Sequence, residues 1–374
     1  MPSHHRGGIE QTMTPSATPA RDLAASSPSW TRRVRRIARA ILTPLAAIAV
    51  ALLVSGLILL VSGYDPVLAF TAMWNGAFAD MRTFTEVLIK ATPLIIIASG
   101  LAVAFRASIW NIGAEGQFYV GAVAATAVGI YLGGLPSIVL IPLLLAASVA
   151  GGALWGMLAA WLKVKFYASE IVTTIMLNYI AIIGTGYLVT GPMIEGAGKY
   201  PQTAKISTLA MLPRFLPPTR LHIGFLIALV VAIVMYVLLF KMSAGYAIRA
   251  VGINPDAARY AGMDVRKNIL LVMAISGGTA GLAGGVEIAG IAFRLYQQIS
   301  PGFGFDAIAV SLLANNNPLG IIFSGILFGA LRSGSEMMQI TAKIPSVLVF
   351  AIQGLVILAV VAFGVYRVRA AEEG

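Results

Sequence analysis

Long apolar runs separated by short polar breaks recur from about residue 40 to the end of this chain. They can be drawn at roughly 40–62, 88–105, 117–133, 137–162, 171–190, 221–240, 269–291, 303–314, 319–334 and 345–365, about ten in all, most of them long enough to cross a bilayer as a helix. The pattern predicts an all-α polytopic membrane protein. The run at 303–314 is short for a full crossing and reads as a broken or re-entrant helix, which is tolerated only where protein covers its backbone. Residues 1 to about 30 are rich in Ser, Thr, Pro and Ala without apolar periodicity, the composition of a disordered tail. The basic run Arg32, Arg33, Arg35, Arg36 and Arg39 then leads into the first apolar stretch. That pairing could be a signal peptide, but the stretch is of spanning length and no small-residue cleavage site precedes Tyr64-Asp65-Pro66, so it reads as an anchor. The organisation expected is a basic cytoplasmic tail over 1–37, a transmembrane domain over 38–366 and a cytoplasmic tail over 367–374.

Composition agrees with the pattern. Hydrophobic residues are 58% of the 374, charged residues 11%, and the mean hydropathy is +0.86, more apolar surface than one soluble core could hide. The net charge of +11 could suggest nucleic acid, but the basic residues sit in the first forty positions, in short loops and at Arg367 and Arg369. Such placement follows the positive-inside rule. With a cytoplasmic N-terminus and an even number of crossings, Lys163, Lys165, the group Lys241, Arg249, Arg259, Arg266 and Lys267, and both termini fall inside. The Pro-rich stretch Gly191 to Arg220 then falls outside beside the loop Gly63 to Glu86, although Lys199, Lys205, Arg214 and Arg220 weaken the bias there. Cysteine is absent, which removes disulfides and thiolate chemistry, and His4, His5 and His222 are too few and too scattered for a metal cage.

Glycines recur four residues apart at Gly129/Gly133, Gly152/Gly156, Gly277/Gly281/Gly285 and Gly325/Gly329. Small residues one turn apart let helix backbones approach closely where lipid supplies no hydrophobic drive. Two Gly-rich halves, about 92–133 and 269–330, each contain a short polar break, a weak internal duplication of the kind transporters show.

Polar residues inside apolar zones are costly unless they face protein or water. Arg106 to Phe118 interrupts two apolar runs with Trp110, Asn111, Gly113, Glu115, Gly116 and Gln117. The break could expose helix ends along a pathway, or be a cytoplasmic turn in which Glu115 and Gln117 cap the next helix. Glu170, Thr174, Asn178 and Tyr179 fall near one face of the following apolar helix, predicted to turn inward either for a pathway or for hydrogen bonds between helices. A third stretch carries Phe303, Phe305 and Asp306 at its outer end and Asn315, Asn316, Asn317 and Pro318 at an inner turn; Asp306 could equally satisfy a helix start and the phenylalanines a lipid interface. No HExxH, GxSxG, GxxxxGK[ST] or Cys pair occurs, so an enzyme is not expected and any use of ATP must come from another polypeptide.

Between two apolar helices lies a polar, helix-forming island from Met242 to Asn268. Asn254 before Pro255 reads as an N-cap before a first-turn proline, Asp256 complements the helix N-terminus and Gly262 suits its exit. Ala257, Ala258 and Ala261 give a small-residue face, with Tyr260 as an anchor for a partner.

Four stretches together carry a resemblance: WNIGAEGQ from Trp110 to Gln117, EIVTTIMLNYIA from Glu170 to Ala181, GINPDAARYAGM from Gly252 to Met263 and GFDAIAVSLLANNNPLG from Gly304 to Gly320. In this order they resemble the permease subunits of bacterial ABC importers for ribose, nucleosides and branched-chain amino acids, most of all the nucleoside or simple-sugar members, over roughly residues 40–365. The resemblance implies a fold like that of the vitamin B12 importer class, with about ten transmembrane helices in two inverted halves. It implies a bacterial inner-membrane location, a second permease subunit, a cytoplasmic ABC ATPase dimer holding ATP and Mg, and an extracytoplasmic solute-binding protein. No cofactor is expected on this chain itself, nor any nucleic acid. Within the resemblance the segment 241–268 is the coupling element, with Gly252, Asn254, Ala257, Ala258, Tyr260 and Gly262 matching a tight turn, a short helix and an exit turn. Ser169 departs from the Asn common before the Glu in relatives, and Asn315 stands at a turn position that is often basic. Pathway-lining candidates are Trp110, Asn111, Glu115, Gln117, Thr174, Asn178, Tyr179, Phe303, Phe305 and Asp306, and the solute expected is small and neutral, a nucleoside first and a simple sugar second. The alternative is an ion-coupled secondary transporter acting alone, for which facing buried carboxylates are scarce.

Overall fold

The computed structural model describes residues 49–196, 200–355 and 358–359. The expected tails 1–37 and 367–374, and the start of the first apolar run, lie outside the described residues. Among those described the fold is helical, with isolated bridges and no extended strand. The order is α1 (Ala49–Val61), α2 (Pro66–Phe78), α3 (Met81–Arg106), α4 (Ala114–Tyr131), α5 (Ser137–Phe166), α6 (Glu170–Thr190), α7 (Gly224–Lys241), α8 (Ser243–Ile253), α9 (Pro255–Tyr260), α10 (Val265–Glu287) with a π-turn (Ile288–Ala292), α11 (Phe303–Leu313), α12 (Pro318–Thr341) and α13 (Ser346–Leu355). Six helices, α3, α5, α6, α7, α10 and α12, are long and apolar enough to cross a bilayer, which makes this a polytopic all-α membrane protein.

The stretch Gly63 to Glu86 is not the plain loop expected. Asp65 accepts from Val67 N at 2.8 Å and Leu68 N at 3.3 Å ahead of Pro66, starting α2. Asp80 and Thr83 form a capping box that starts α3 earlier than its apolar run does. The 13 residues of α2 are too few to cross a bilayer, and it packs instead on α12.

α3 and α10 form the centre, with 89% and 72% of their most apolar windows buried, against 22% for α5 and 28% for α6 and α7, which stand at the periphery. α5 crosses α10 through the glycines singled out by spacing. A Cβ on Gly281 would stand 2.2 Å from the Ser148 carbonyl oxygen, and one on Gly152 would stand 2.2 Å from that of Gly277. Backbones this close admit no other residue.

Alternation of these helices sorts the connections to two ends of the bundle. One end gathers residues 107–113, 167–169, the island and the turn 314–317, tied by bonds from Arg106 to Asn315 and from Ser108 to Gly252. At the other end the Pro-rich stretch is an ordered cover. Thr203 N and Ile206 N donate to the carbonyls of Leu295 and Phe293 at 2.9 and 3.0 Å, and Leu212 N donates to Ala289 O at 2.8 Å. Arg220 grips Glu86 through both carboxylate oxygens, at 2.9 and 2.7 Å, which brings the two expected outer segments side by side.

Candidate solute-pathway and coupling sites

Two helices are broken inside the bundle, and every exposed backbone group at the breaks has to find a partner. Between α3 and α4 the chain is buried at Ala107, Ile109 and Asn111. Asn111 Oδ1 accepts from Gly113 N and Gln117 Nε2, both at 3.0 Å, while its Nδ2 donates to Gln117 Oε1 and Ser276 Oγ at 2.9 Å. From α6, Asn178 Oδ1 accepts from Gly116 N at 2.7 Å and its Nδ2 donates to Ile112 O at 2.9 Å. Thr174 lies buried one turn away, its hydroxyl bonded to Glu170 O at 2.6 Å. Between α10 and α11, Ser300 Oγ accepts from Gly302 N and Phe303 N at 3.1 and 3.0 Å. The next free donor, Gly304 N, reaches across to Glu115 Oε2 at 2.7 Å. Glu115 therefore sits on the N-terminus of α11, where a carboxylate is favoured by the N–H groups.

Asn111, Glu115, Gln117, Thr174, Asn178 and Phe303 thus come together in one buried region. Phe303 packs its ring 5.8 Å from that of Phe118. Arg332 of α12 lies over Phe303 at 4.6 Å, donates to Pro301 O at 2.7 Å and stands 3.2 Å from Asp306 Oδ2. Arg332 is absent from the sequence-derived candidates, although an arginine in an apolar helix was itself the signal.

Of the other candidates, Asp306 is partly buried beside Arg332, and Trp110, Phe305 and Tyr179 face outward. Trp110 and Phe305 are about half exposed, at 46% and 49%. Tyr179, expected on the inward face with Thr174 and Asn178, is exposed instead. It follows Asn178 by one residue and so points roughly 100° away from it. It belongs to an open stripe with Met176, Ile183 and Tyr187. Glu170 is held by Lys163 at 2.6 Å. Among the described residues no group of three or more His, Asp or Glu could hold a metal.

At the opposite end His222 is buried against Gly290, and its Nδ1 accepts from Gly224 N at 3.1 Å, which requires a neutral ring. Burial, and then the nearby Arg214 charge, push its pKa down to about 4. Below pH 6.5 the unfolded chain takes up a proton that the folded one refuses, so this contribution to stability is complete above that pH and is lost as the pH falls towards 4. The loss is up to about 3 kcal/mol. His222→Gln is expected to flatten the acid side of a stability-against-pH curve in detergent; equal acid slopes for the two proteins would refute the assignment.

In the island, Asn254 caps α9 as its sequence predicts, its Oδ1 accepting from Asp256 N and Ala257 N at 3.0 Å, and Gly262 leaves the helix with φ +82°. Gly252, expected in a tight turn, is inside α8 and is required for close approach: a Cβ there would stand 2.2 Å from Arg106 O. Ala258 is buried within the chain, so its small side chain serves internal packing. The surface left open to a partner includes Ile253, Asn254, Ala257, Tyr260 and Ala261, the tyrosine 94% exposed.

Broken helices satisfied by Asn and Glu, with a capped polar arm at one end, suit a transport subunit and offer no assembled catalytic group. The sequence profile described as branched-chain amino acid transport system / permease component matches residues 83–361. The chain belongs to this permease family. Its role is therefore that of a membrane permease component, not of an enzyme. Among relatives, the guanosine ABC transporter permease protein of Bacillus subtilis is 38% identical over 329 residues, 87% of this chain and 94% of its own. The glucose ABC transporter permease protein of Haloferax volcanii is 36% identical over 84% of this chain and 86% of its own. A nucleoside ABC transporter permease protein of Lactococcus lactis is 32% identical over 80% and 85% respectively. No solved structure matches the chain. Membership in an ABC permease family implies an ATPase and a substrate-binding protein as partners of this permease.

Proposed function

We propose that this permease is the membrane subunit of an ATP-driven importer that carries nucleosides inward across the bacterial inner membrane by alternating access. The observation that carries the reading is the extended identity to a guanosine permease, covering nearly all of that relative. In this reading two permease subunits form the pathway and an ATPase dimer holding ATP and Mg docks on 241–268 through Ile253, Asn254, Ala257 and Tyr260, while this chain binds no cofactor. Both termini are cytoplasmic, with 38–366 as the membrane domain between the tails 1–37 and 367–374. About ten membrane segments form two inverted halves, like the vitamin B12 importer class, and a broken helix pair in each half, α3–α4 and α10–α11, supports that symmetry. Of the pathway candidates, Trp110, Tyr179, Phe305 and Asp306 meet the solute. Asn111, Glu115, Gln117, Thr174, Asn178 and Phe303 line the route from behind, holding the broken helices. Exposed aromatic rings beside a carboxylate already paired with Arg332 suit a neutral, heterocyclic solute that must bind weakly enough to leave.

Glucose is the second reading, favoured by the Haloferax relative. Proteoliposomes holding the permease with its cognate ATPase and solute-binding protein decide between them. ATP-dependent uptake of labelled guanosine, chased by unlabelled nucleosides and not by glucose, is expected. Uptake of glucose alone would move the assignment to sugar, and transport under an ion gradient without ATP would overturn the importer reading.

A further inference from the structure

The end of α3 touches more of the moving parts than its sequence suggests. Arg106 donates from Nε to Asn316 O at 3.3 Å and from Nη2 to Asn315 O at 3.0 Å, gripping the turn between α11 and α12. That turn is backbone-strained, with Asn315 and Asn316 at φ +52° and +53°, and Asn316 Oδ1 accepts from Ser311 Oγ at 3.1 Å. Two residues on, Ser108 Oγ donates to Gly252 O at 2.7 Å, while Gly252 packs directly against the Arg106 carbonyl. α8, which carries Gly252, is itself fixed to the end of α7: Arg249 bonds the Leu239 carbonyl, and the Phe240 ring lies 5.3 Å from the guanidinium of Arg249 and 5.7 Å from that of Arg106. Three residues, Arg106 to Ser108, therefore fasten the island on one side and the α11–α12 hairpin on the other.

We propose that Arg106–Ser108 is the strut that passes displacement of the ATPase-docking segment into the α11–α12 hairpin, with Arg106 as its positioning residue. The inference rests on the ATP-driven reading above. The island shares no hydrogen bond with the α11–α12 turn among the described residues; the strut bridges them. A planar guanidinium can hold two adjacent carbonyls at once, so a rotation of the α3 end drags the turn with it, whereas a lysine ammonium is a flexible point donor. Ser108 stands at φ +56°, a conformation that glycine adopts without cost, so the strain there is tolerated for what the hydroxyl holds.

The test uses the whole complex in proteoliposomes and reads the ratio of ATP hydrolysis with loaded solute-binding protein to hydrolysis without it, together with uptake per ATP and the melting temperature of the complex. Arg106→Lys and Ser108→Gly are each expected to lower that ratio and the uptake per ATP by about tenfold, within the range of coupling between distant sites. Melting should hold for Arg106→Lys and hold or rise for Ser108→Gly, an outcome that a merely structural role would not produce. Unchanged ratios in both variants overturn the strut and leave the importer reading standing. An unmodified complex whose hydrolysis ignores solute overturns both.

Discussion

Asn178→Leu is expected to destabilise the permease by about 4 kcal/mol and to remove folded protein from the membrane at growth temperature, through two buried backbone groups left without partners. In the structure one amide serves both, accepting from Gly116 N and donating to Ile112 O. Leucine keeps the volume and removes both bonds, so the cost is the desolvation of an N–H and a carbonyl at 2% exposure of the side chain that covered them. Asn178→Asp separates the terms. A carboxylate still accepts from Gly116 N, but turns its second oxygen towards the Ile112 carbonyl, acceptor against acceptor, and is expected to fall close to leucine. Asn178→Gln has the right groups one methylene too far along. Thermal unfolding of the purified variants in detergent checks the order; a leucine variant as stable as the parent would mean that the α3–α4 break is held by other contacts.

Gly281→Val is expected to be at least as damaging, at about 4 kcal/mol or more, in the range reserved for backbone overpacking. A single Cβ at this position meets the Ser148 carbonyl at 2.2 Å and the Gly152 Cα at 2.9 Å, and a Cβ on Gly121 of α4 would itself stand 2.3 Å from Gly281 Cα. Valine must therefore push α5 off α10, and the atoms it meets are backbone, with no flexible side chain among them to yield. Gly184→Ala is the control. Nothing lies within 4 Å of its Cβ position, so alanine is expected to be neutral or to stabilise by up to about 1 kcal/mol through helix propensity. Yield and melting temperature of the two variants side by side check the contrast; a Gly281→Val protein that melts with the parent would refute the crossing.

What could be read from the chain was whatever is decided locally. The membrane helices follow from apolar run length, the glycine crossings from four-residue spacing, and the start and exit of α9 from Asn254, Pro255 and Gly262, because caps and close approaches need particular residues whatever surrounds them. α2 was missed because 13 residues do not register as a span, although Asp65-Pro66 and the Asp80–Thr83 box announced both flanks. Tyr179 was placed one residue too generously on the face of Asn178, an error of angle and not of composition. Gly252 is ambiguous in sequence because glycine permits a turn and a helix crossing equally, and only the arrival of Arg106 O decides between them. Ala258 is ambiguous in sequence, because a small residue in a polar segment looks the same whether it faces a groove outside or a helix inside; here it is buried. Arg332 and Arg106 were legible as charges in or beside apolar helices, but their partners lie on other elements, and chain distance carries no record of that.

Glu115 and Tyr119, one turn apart on α4, both reach the break between α10 and α11: Glu115 Oε2 accepts from Gly304 N at 2.7 Å, and the Tyr119 hydroxyl meets the backbone of Ser300 at 3.4 and 3.5 Å. The start of α4 is therefore clasped, side chain to backbone, at two neighbouring points of the segment that leads into α11. Parting them would leave the Gly304 N–H and the Glu115 carboxylate buried without each other, a cost that favours their moving together.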